Sequence, residues 1–201
     1  MVYDRKIIKY MDIKIIFSIL ASIIGVIAFL PYLRDIFCHK TKPHIYTWLI
    51  WIITQGTAVA GMIYGGASWG SLSLLIGLFF VASIFLLSFK YGTKDIKKND
   101  TVILIFAFLA IIVWWQLKNP ILSVLMVSII DIFGFIPSLR KTFNDPWSET
   151  LSSWGLFAIS NILAILAISE YNFLTVFYVF AITVGNISIF LITLTRRKIL
   201  K

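Results

Sequence analysis

Seven stretches of largely apolar residues, each close to membrane-spanning length, leave this chain few folds to choose from. They run approximately over Ile13 to Phe37, Ile45 to Tyr64, Ser71 to Phe89, Thr101 to Leu117, Ile121 to Phe143, Leu151 to Ser169 and Phe173 to Leu194. A helix needs about 20 such residues to cross the hydrocarbon layer of a bilayer. The chain is also 60% hydrophobic and only 13% charged, with a mean hydropathy of +0.94, far from the balance of a soluble domain. The expectation is an all-α integral membrane protein of seven transmembrane helices with almost nothing outside the lipid.

The formal charge of +9 would suggest nucleic acid in a soluble protein, but here nearly every Lys and Arg falls at the end of an apolar stretch. Nucleic acid is therefore not an expected partner, and the charge reads as orientation. Arg5, Lys6, Lys9, Lys14 and Lys118 share one side of the bilayer, and the remaining 13 of 18 basic residues share the other. The excess places the C-terminus in the cytoplasm and the N-terminus outside, in the plasma membrane of a prokaryote. The first apolar run follows basic residues as in a signal peptide, but it is too long and lacks a small-residue cleavage site. One cysteine, Cys38, excludes an intramolecular disulfide. With His39 and His44 it shares a short basic loop that lacks a zinc spacing, so no metal and no cofactor are expected.

The second constraint is an internal echo. Residues 24–48 laid on residues 130–154 match at seven of 25 positions, among them Pro31 with Pro137, Leu33 with Leu139 and Arg34 with Arg140. Trp48 and Trp154 each follow their proline by 17 residues, and Ser83-Ile84-Phe85-Leu86 recurs as Ser188-Ile189-Phe190-Leu191 at an offset of 105. This is a duplication of three helices per half. The fourth stretch has no counterpart, and one intervening helix restores the direction that a three-helix unit reverses. The two repeats are then parallel, related by an axis along the membrane normal. The boundaries expected are a tail at 1–12, a first repeat at 13–90, a linker loop and helix at 91–120, a second repeat at 121–195 and a basic tail at 196–201. Trp114 and Trp115 read as interfacial anchors of the linker helix.

Asp131 is the one carboxylate in the middle of a stretch, about 15 Å deep by helical rise. An ionisable group there costs on the order of 2.5–3.5 kcal/mol on the mildest insertion scales, so it is expected to face a cavity and to be functional. Ser128, Asp131, Gly134 and Ser138 form one small polar stripe, with Ser22, Gly25, Ala28 and Tyr32 as its equivalent. Close packing through small residues is the alternative account of the serines and glycines. Trp48, Trp51 and Gln55 share one helix face, and Trp154, Phe157 and Asn161 repeat it in the second half. Belt tryptophans and interhelical amides would explain each residue singly, yet not why the amide recurs deeper on the same stripe. With Asn186 on the last helix, Gln55, Asp131 and Asn161 fall near one depth. Carboxamides suit a hydroxyl-rich or zwitterionic solute, and Trp51 and Phe157 offer flat faces for a ring.

Parallel triple-helix repeats joined by one linker helix, with Pro-x-Leu-Arg at the end of each first helix, resemble the SWEET and PQ-loop superfamily of sugar and solute transporters. Tyr32 and Ser138 stand where a PQ-loop protein would have Gln. The resemblance implies that Pro31 and Pro137 act as hinges and that Asn186 contacts substrate, with Val81 at the matching position of the first repeat. The function it implies is alternating-access transport of a small polar solute, a sugar or sugar-like molecule first, with Asp131 either binding the solute or taking up a proton. The second class is a receptor or sorting protein on the same fold. Such a receptor would want basic residues in the cavity, and none lies in mid-stretch. A retinal protein needs a lysine in the last helix, which Phe173 to Leu194 lacks. An enzyme is not expected, because no stretch pairs a nucleophile with a base. The partners expected are the solute and the lipid bilayer, with homo-oligomer formation left open.

Overall fold

A computed structural model describes residues 2–40, 43, 45–92 and 98–200, without the side chains at 2–12, 99–100, 103, 114–115, 117, 136–138, 140–141 and 148. Part of the Cys38 loop (Thr41, Lys42 and His44) and the side chains of Trp114, Trp115, Pro137, Ser138 and Arg140 thus lie outside the described residues. The described chain is helical, with no strand: α1 (Val2–Phe37), α2 (Ile45–Tyr64), α3 (Leu72–Tyr91), α4 (Lys98–Leu117), α5 (Pro120–Asn144), α6 (Leu151–Ala167) and α7 (Phe173–Ile199). Single 3-10 turns occur at Ser68–Ser71 and Pro146–Ser148.

Each apolar stretch became one helix, and the differences lie at the ends. The basic tail expected at 196–201 is mostly the last turns of α7, which continues through Ile199. Lys and Arg are good helix formers, and cations suit a helix C-terminus. Nor are these arginines merely solvated: Arg196 Nε donates to the Phe143 carbonyl at 2.9 Å, and Arg197 donates to those of Pro146 at 3.0 Å and Glu149 at 2.7 Å. The tail expected at 1–12 is likewise helical from Val2. In contrast α6 stops at Ala167, short of Ser169, where Lys14 Nζ donates to the carbonyls of Ile168 and Ser169. A cation at a helix C-terminus satisfies acceptors the helix leaves open.

Four segments, Ile13–Phe37, Ile45–Tyr64, Ser68–Tyr91 and Phe173–Ile199, are long and apolar enough to cross a bilayer by length and composition. Leu104–Val113, Pro120–Phe135 and Leu151–Ala167 are shorter apolar segments. Burial follows the same logic. Phe79, Leu86 and Ile63 are 69%, 67% and 58% exposed, while Thr54, Ser123, Ser128 and Asp131 are buried. A surface this apolar is foreign to a monomer in water and is what a helical protein presents to lipid.

The packing repeats itself. In the first half α3 packs against both α1 and α2, and in the second α7 packs against both α5 and α6. Between the halves α1 meets α6 and α2 meets α5, with lesser contacts of α3 to α6 and of α7 to α2. Exchanging α1, α2 and α3 for α5, α6 and α7 maps this pattern onto itself. Helix α4 stands outside it, docked on α2 and α5 through Ala107 and Ala110, and Ser123 Oγ donates to the Ala110 carbonyl at 2.9 Å.

At one end the halves are stitched together. The Ser169 amide donates to the Ala67 carbonyl at 3.2 Å and Asn172 Nδ2 to that of Gly65 at 2.6 Å, while within the first half Ser18 Oγ holds the same turn through the Trp69 carbonyl at 2.7 Å. The turn comes so close that a Cβ on Gly70 would sit 2.7 Å from the Ile168 Cα, a backbone atom that cannot rotate away. On Gly56, inside α2, a Cβ would meet only Leu78 Cδ2 at 3.9 Å. Gly70→Ala should therefore cost about 1–3 kcal/mol, and Gly56→Ala should be neutral or stabilising by up to ~1 kcal/mol through helix propensity. Thermal unfolding of the two variants in detergent checks the contrast, and equal melting temperatures would contradict it.

Candidate binding cavity

The arrangement leaves a cavity of about 660 Å³ between the halves. Its wall takes residues from six of the seven helices, α4 being the exception. At one end it is bordered by His39 and Lys40, after α1, and by Glu149 and Thr150, before α6. At the other it reaches Ser73 and Leu74 at the start of α3, beneath the stitched turn. All six residues predicted to touch a solute, Asp131, Gln55, Asn161, Asn186, Trp51 and Phe157, line it.

Asp131 lies near the middle of α5, about 16 Å from its first residue by helical rise, and is 3% exposed. Tyr178 on α7 donates its hydroxyl to Asp131 Oδ2 at 2.6 Å, and Thr54 on α2 faces the same carboxylate. Oδ1 is buried with no hydrogen-bond partner. Among the described residues two further buried side-chain oxygens share that condition, Ser73 Oγ and Ser153 Oγ, and both belong to residues of this wall. Buried polar atoms are almost always paired. Three unpaired oxygens on one cavity wall, a carboxylate acceptor and two hydroxyls that can donate or accept, mark it as a place that a polar occupant completes.

The carboxamides differ in their freedom. Gln55 Nε2 donates to the Leu74 carbonyl at 2.7 Å, joining α2 to α3. Gly77 leaves room for that reach, since a Cβ there would come within 2.9 Å of the same nitrogen. The amide nitrogen of Gln55 is thus engaged by the fold. Asn161 and Asn186 line the cavity with no side-chain hydrogen bond to any described residue.

The aromatic residues form a continuous wall. Trp48 meets Trp51 edge-on at 4.9 Å between centroids, Phe29 meets Phe157 edge-on at 4.7 Å, and Phe29 stacks on Phe80 at 5.0 Å. Trp48 is 5% exposed and Trp154 donates from Nε1 to Glu149 Oε2 at 3.0 Å. Both tryptophans line the cavity and do not serve as belt residues facing lipid headgroups.

No family model, curated protein or solved structure matches the chain. Its chemistry rests on the geometry.

The small polar stripes divide. Ser22 Oγ donates to the Ser18 carbonyl at 2.8 Å and Ser128 Oγ to that of Val124 at 2.7 Å, each within its own helix, so packing accounts for them. Gly25 admits α6: Ser160 Oγ lies 3.0 Å from where its Cβ would be and donates to the Ala21 carbonyl at 2.8 Å. In the offset of 106, Gly25 and Ser160 answer to Asp131 and Thr54. The same crossing is thus closed by packing in one half and carries a carboxylate in the other. Tyr178 escaped the sequence reading. Its signal was the i, i+4, i+8 run of Tyr178, Ile182 and Asn186, all three on the cavity wall. Pro31 lies inside α1 near the bordered end, and Pro137 falls within α5.

Tyr178→Phe should strip Asp131 Oδ2 of its hydroxyl donor and destabilise the protein by about 1–3 kcal/mol. In an Asp131→Asn background the same change should cost less by about 1 kcal/mol or more. A double-mutant cycle read by thermal unfolding checks this, and additive effects would show that the pair is not coupled.

Proposed function

We propose that this chain is a membrane transporter of seven spans that binds a small polar solute between two parallel three-helix repeats and exposes it to the two sides in turn. The observation that carries the reading is the cavity itself: it runs from one bordered end to a buried carboxylate at mid-helix and holds every buried unpaired side-chain oxygen among the described residues. The self-mapping helix contacts and the recurring Pro-x-Leu-Arg support two repeats facing each other across it. Both also fit the resemblance to the SWEET and PQ-loop superfamily.

The two ends differ, as alternating access requires. One is sealed by Lys14, Ser169 and Asn172 against carbonyls of the opposite half. The other is bordered by the connections after α1 and before α6, the side that the excess of Lys and Arg assigns to the cytoplasm. In this reading Pro31 and Pro137 are the hinges about which the halves rock, each lacking a backbone donor to the preceding turn. Asn161 and Asn186 hydrogen-bond the solute, Trp51 and Phe157 flank it, and Asp131 fixes it or exchanges a proton with it. Hydroxyl-rich solutes such as sugars suit the free carboxamides.

Purified protein screened by thermal shift against sugars, amino acids and vitamins should give a stabilising ligand, and Asn161→Ala should weaken its binding by about tenfold, the value of one good hydrogen bond. In proteoliposomes Asp131→Asn should abolish uptake of that ligand or its pH dependence. Unchanged uptake at every pH would remove Asp131 from the mechanism.

A further inference from the structure

The transport reading leaves the charge of the solute open, and the cavity carries information on it. Among the described residues Asp131 is the sole carboxylate lining its deep part, and the only basic side chains on its wall are His39 and Lys40 at the border. By helical rise that border is about 20 Å along α1 from Gly25, the counterpart of Asp131, too far for a counter-ion. The carboxylate meets only neutral hydroxyls, Tyr178 at Oδ2 and Thr54 facing it from α2, and its Oδ1 has no partner. A buried carboxylate is best offset by a paired charge, and among the described residues Asp131 forms no ion pair.

The cavity that Asp131 lines is walled largely by aromatic residues. Trp51, Phe157, Phe29 and Trp154 line the same cavity in edge-on contacts with their neighbours. Trp51 is near enough to the α5 backbone that a Cβ on Gly134, three residues after Asp131, would lie 3.9 Å from its Nε1. Ring faces attract cations, most strongly where water is excluded. An unpaired carboxylate oxygen on a cavity walled by aromatic rings has the chemistry that suits an organic cation.

We propose that the solute carries a protonated amine whose N–H groups meet Asp131 Oδ1 while its body lies against the aromatic wall and its remaining polar groups reach Asn161 and Asn186. This rests on the transport reading and deepens it: Asp131 is the counter-ion of the solute. The unequal halves follow, because one ammonium needs one carboxylate, and Gly25 occupies the matching position of the first repeat.

The test uses 2-phenylethylammonium, its neutral counterpart 2-phenylethanol, and glucose, each titrated calorimetrically into the full-length protein in lipid nanodiscs. The alcohol keeps the ring and one hydrogen-bond donor, so the pair isolates the charge. The ammonium should bind at least ~10-fold more tightly than the alcohol or glucose, a charge-assisted bond replacing a neutral one, and in Asp131→Asn that ratio should fall to near one. The wild-type ratio stands by itself should the variant fail to fold, and Trp51→Leu should narrow it from the other side of the solute. Equal affinity for ammonium and alcohol, preference for glucose, or no binding of any of the three at millimolar concentration would overturn the proposal. Proteoliposome uptake separates the two readings. Glucose accumulation without ammonium preference leaves transport standing and sinks the ammonium, whereas ammonium selectivity without accumulation sustains the site and sinks transport.

Discussion

The hydrogen bond from Tyr178 to Asp131 is the contact on which the interior depends. A carboxylate that belongs to no surface has to be accommodated by its neighbours, and it draws three helices toward one point: α5 carries it, α7 supplies the hydroxyl and α2 brings Thr54. The remaining oxygen is left without a partner. A fold under selection for stability alone would put an apolar residue there, since replacing buried ionic groups by well-packed apolar ones is often neutral or stabilising. The group is therefore best understood through what occupies the space beside it.

The asymmetry of the duplicated unit deepens that argument. At the crossing of α1 with α6, Gly25 and Ser160 let the backbones come together, and the serine hydroxyl is consumed by the Ala21 carbonyl. At the equivalent crossing of α5 with α2 the small residue has become an aspartate and the serine a threonine. The same backbone arrangement is thus a clasp in one half and carries a buried carboxylate in the other. A similar split separates the carboxamides: Gln55 is held by the Leu74 carbonyl, whereas Asn161 lines the cavity without a described partner. Chemistry gathers toward the second repeat, and the first supplies more of the rigid surface.

Much of this was legible in the chain before any coordinates. Apart from the start of α1, which lies eleven residues before Ile13, apolar runs bounded by charge marked the helices to within about a turn and a half, because in lipid the backbone must satisfy its own hydrogen bonds and a helix does so at almost any apolar sequence. Asp131, Asn161 and Asn186 stood out because polar groups at mid-helix are expensive. What could not be read was which polar groups spend their hydrogen bonds inside the fold. Gln55 and Asn161 occupy the same place in the repeat, and only the approach of α3, admitted by Gly77, distinguishes them. Tyr178 was hidden for a related reason: a tyrosine in an aromatic-rich helix looks like any other ring until the partner of its hydroxyl is known. Trp48 and Trp154 looked like interfacial anchors because periodicity gives a face but not what that face meets.

The sealed end shows how such a molecule could hold one state without being locked in it. Its cross-half bonds run from Lys14, Ser169 and Asn172 to backbone carbonyls at turns and helix ends, not to acceptors inside helices. Those carbonyls are the ones a helix leaves over, and water can take them when the contact parts. Each bond then contributes only about 0.5–1.5 kcal/mol net, the difference between a protein partner and water. The intrahelical ladders, which water in the lipid core could not replace, remain untouched by such an opening. On the transport reading, the seal can therefore be broken by the modest free energy of binding one solute, while the helices that carry Asp131, Asn161 and Asn186 move as rigid bodies.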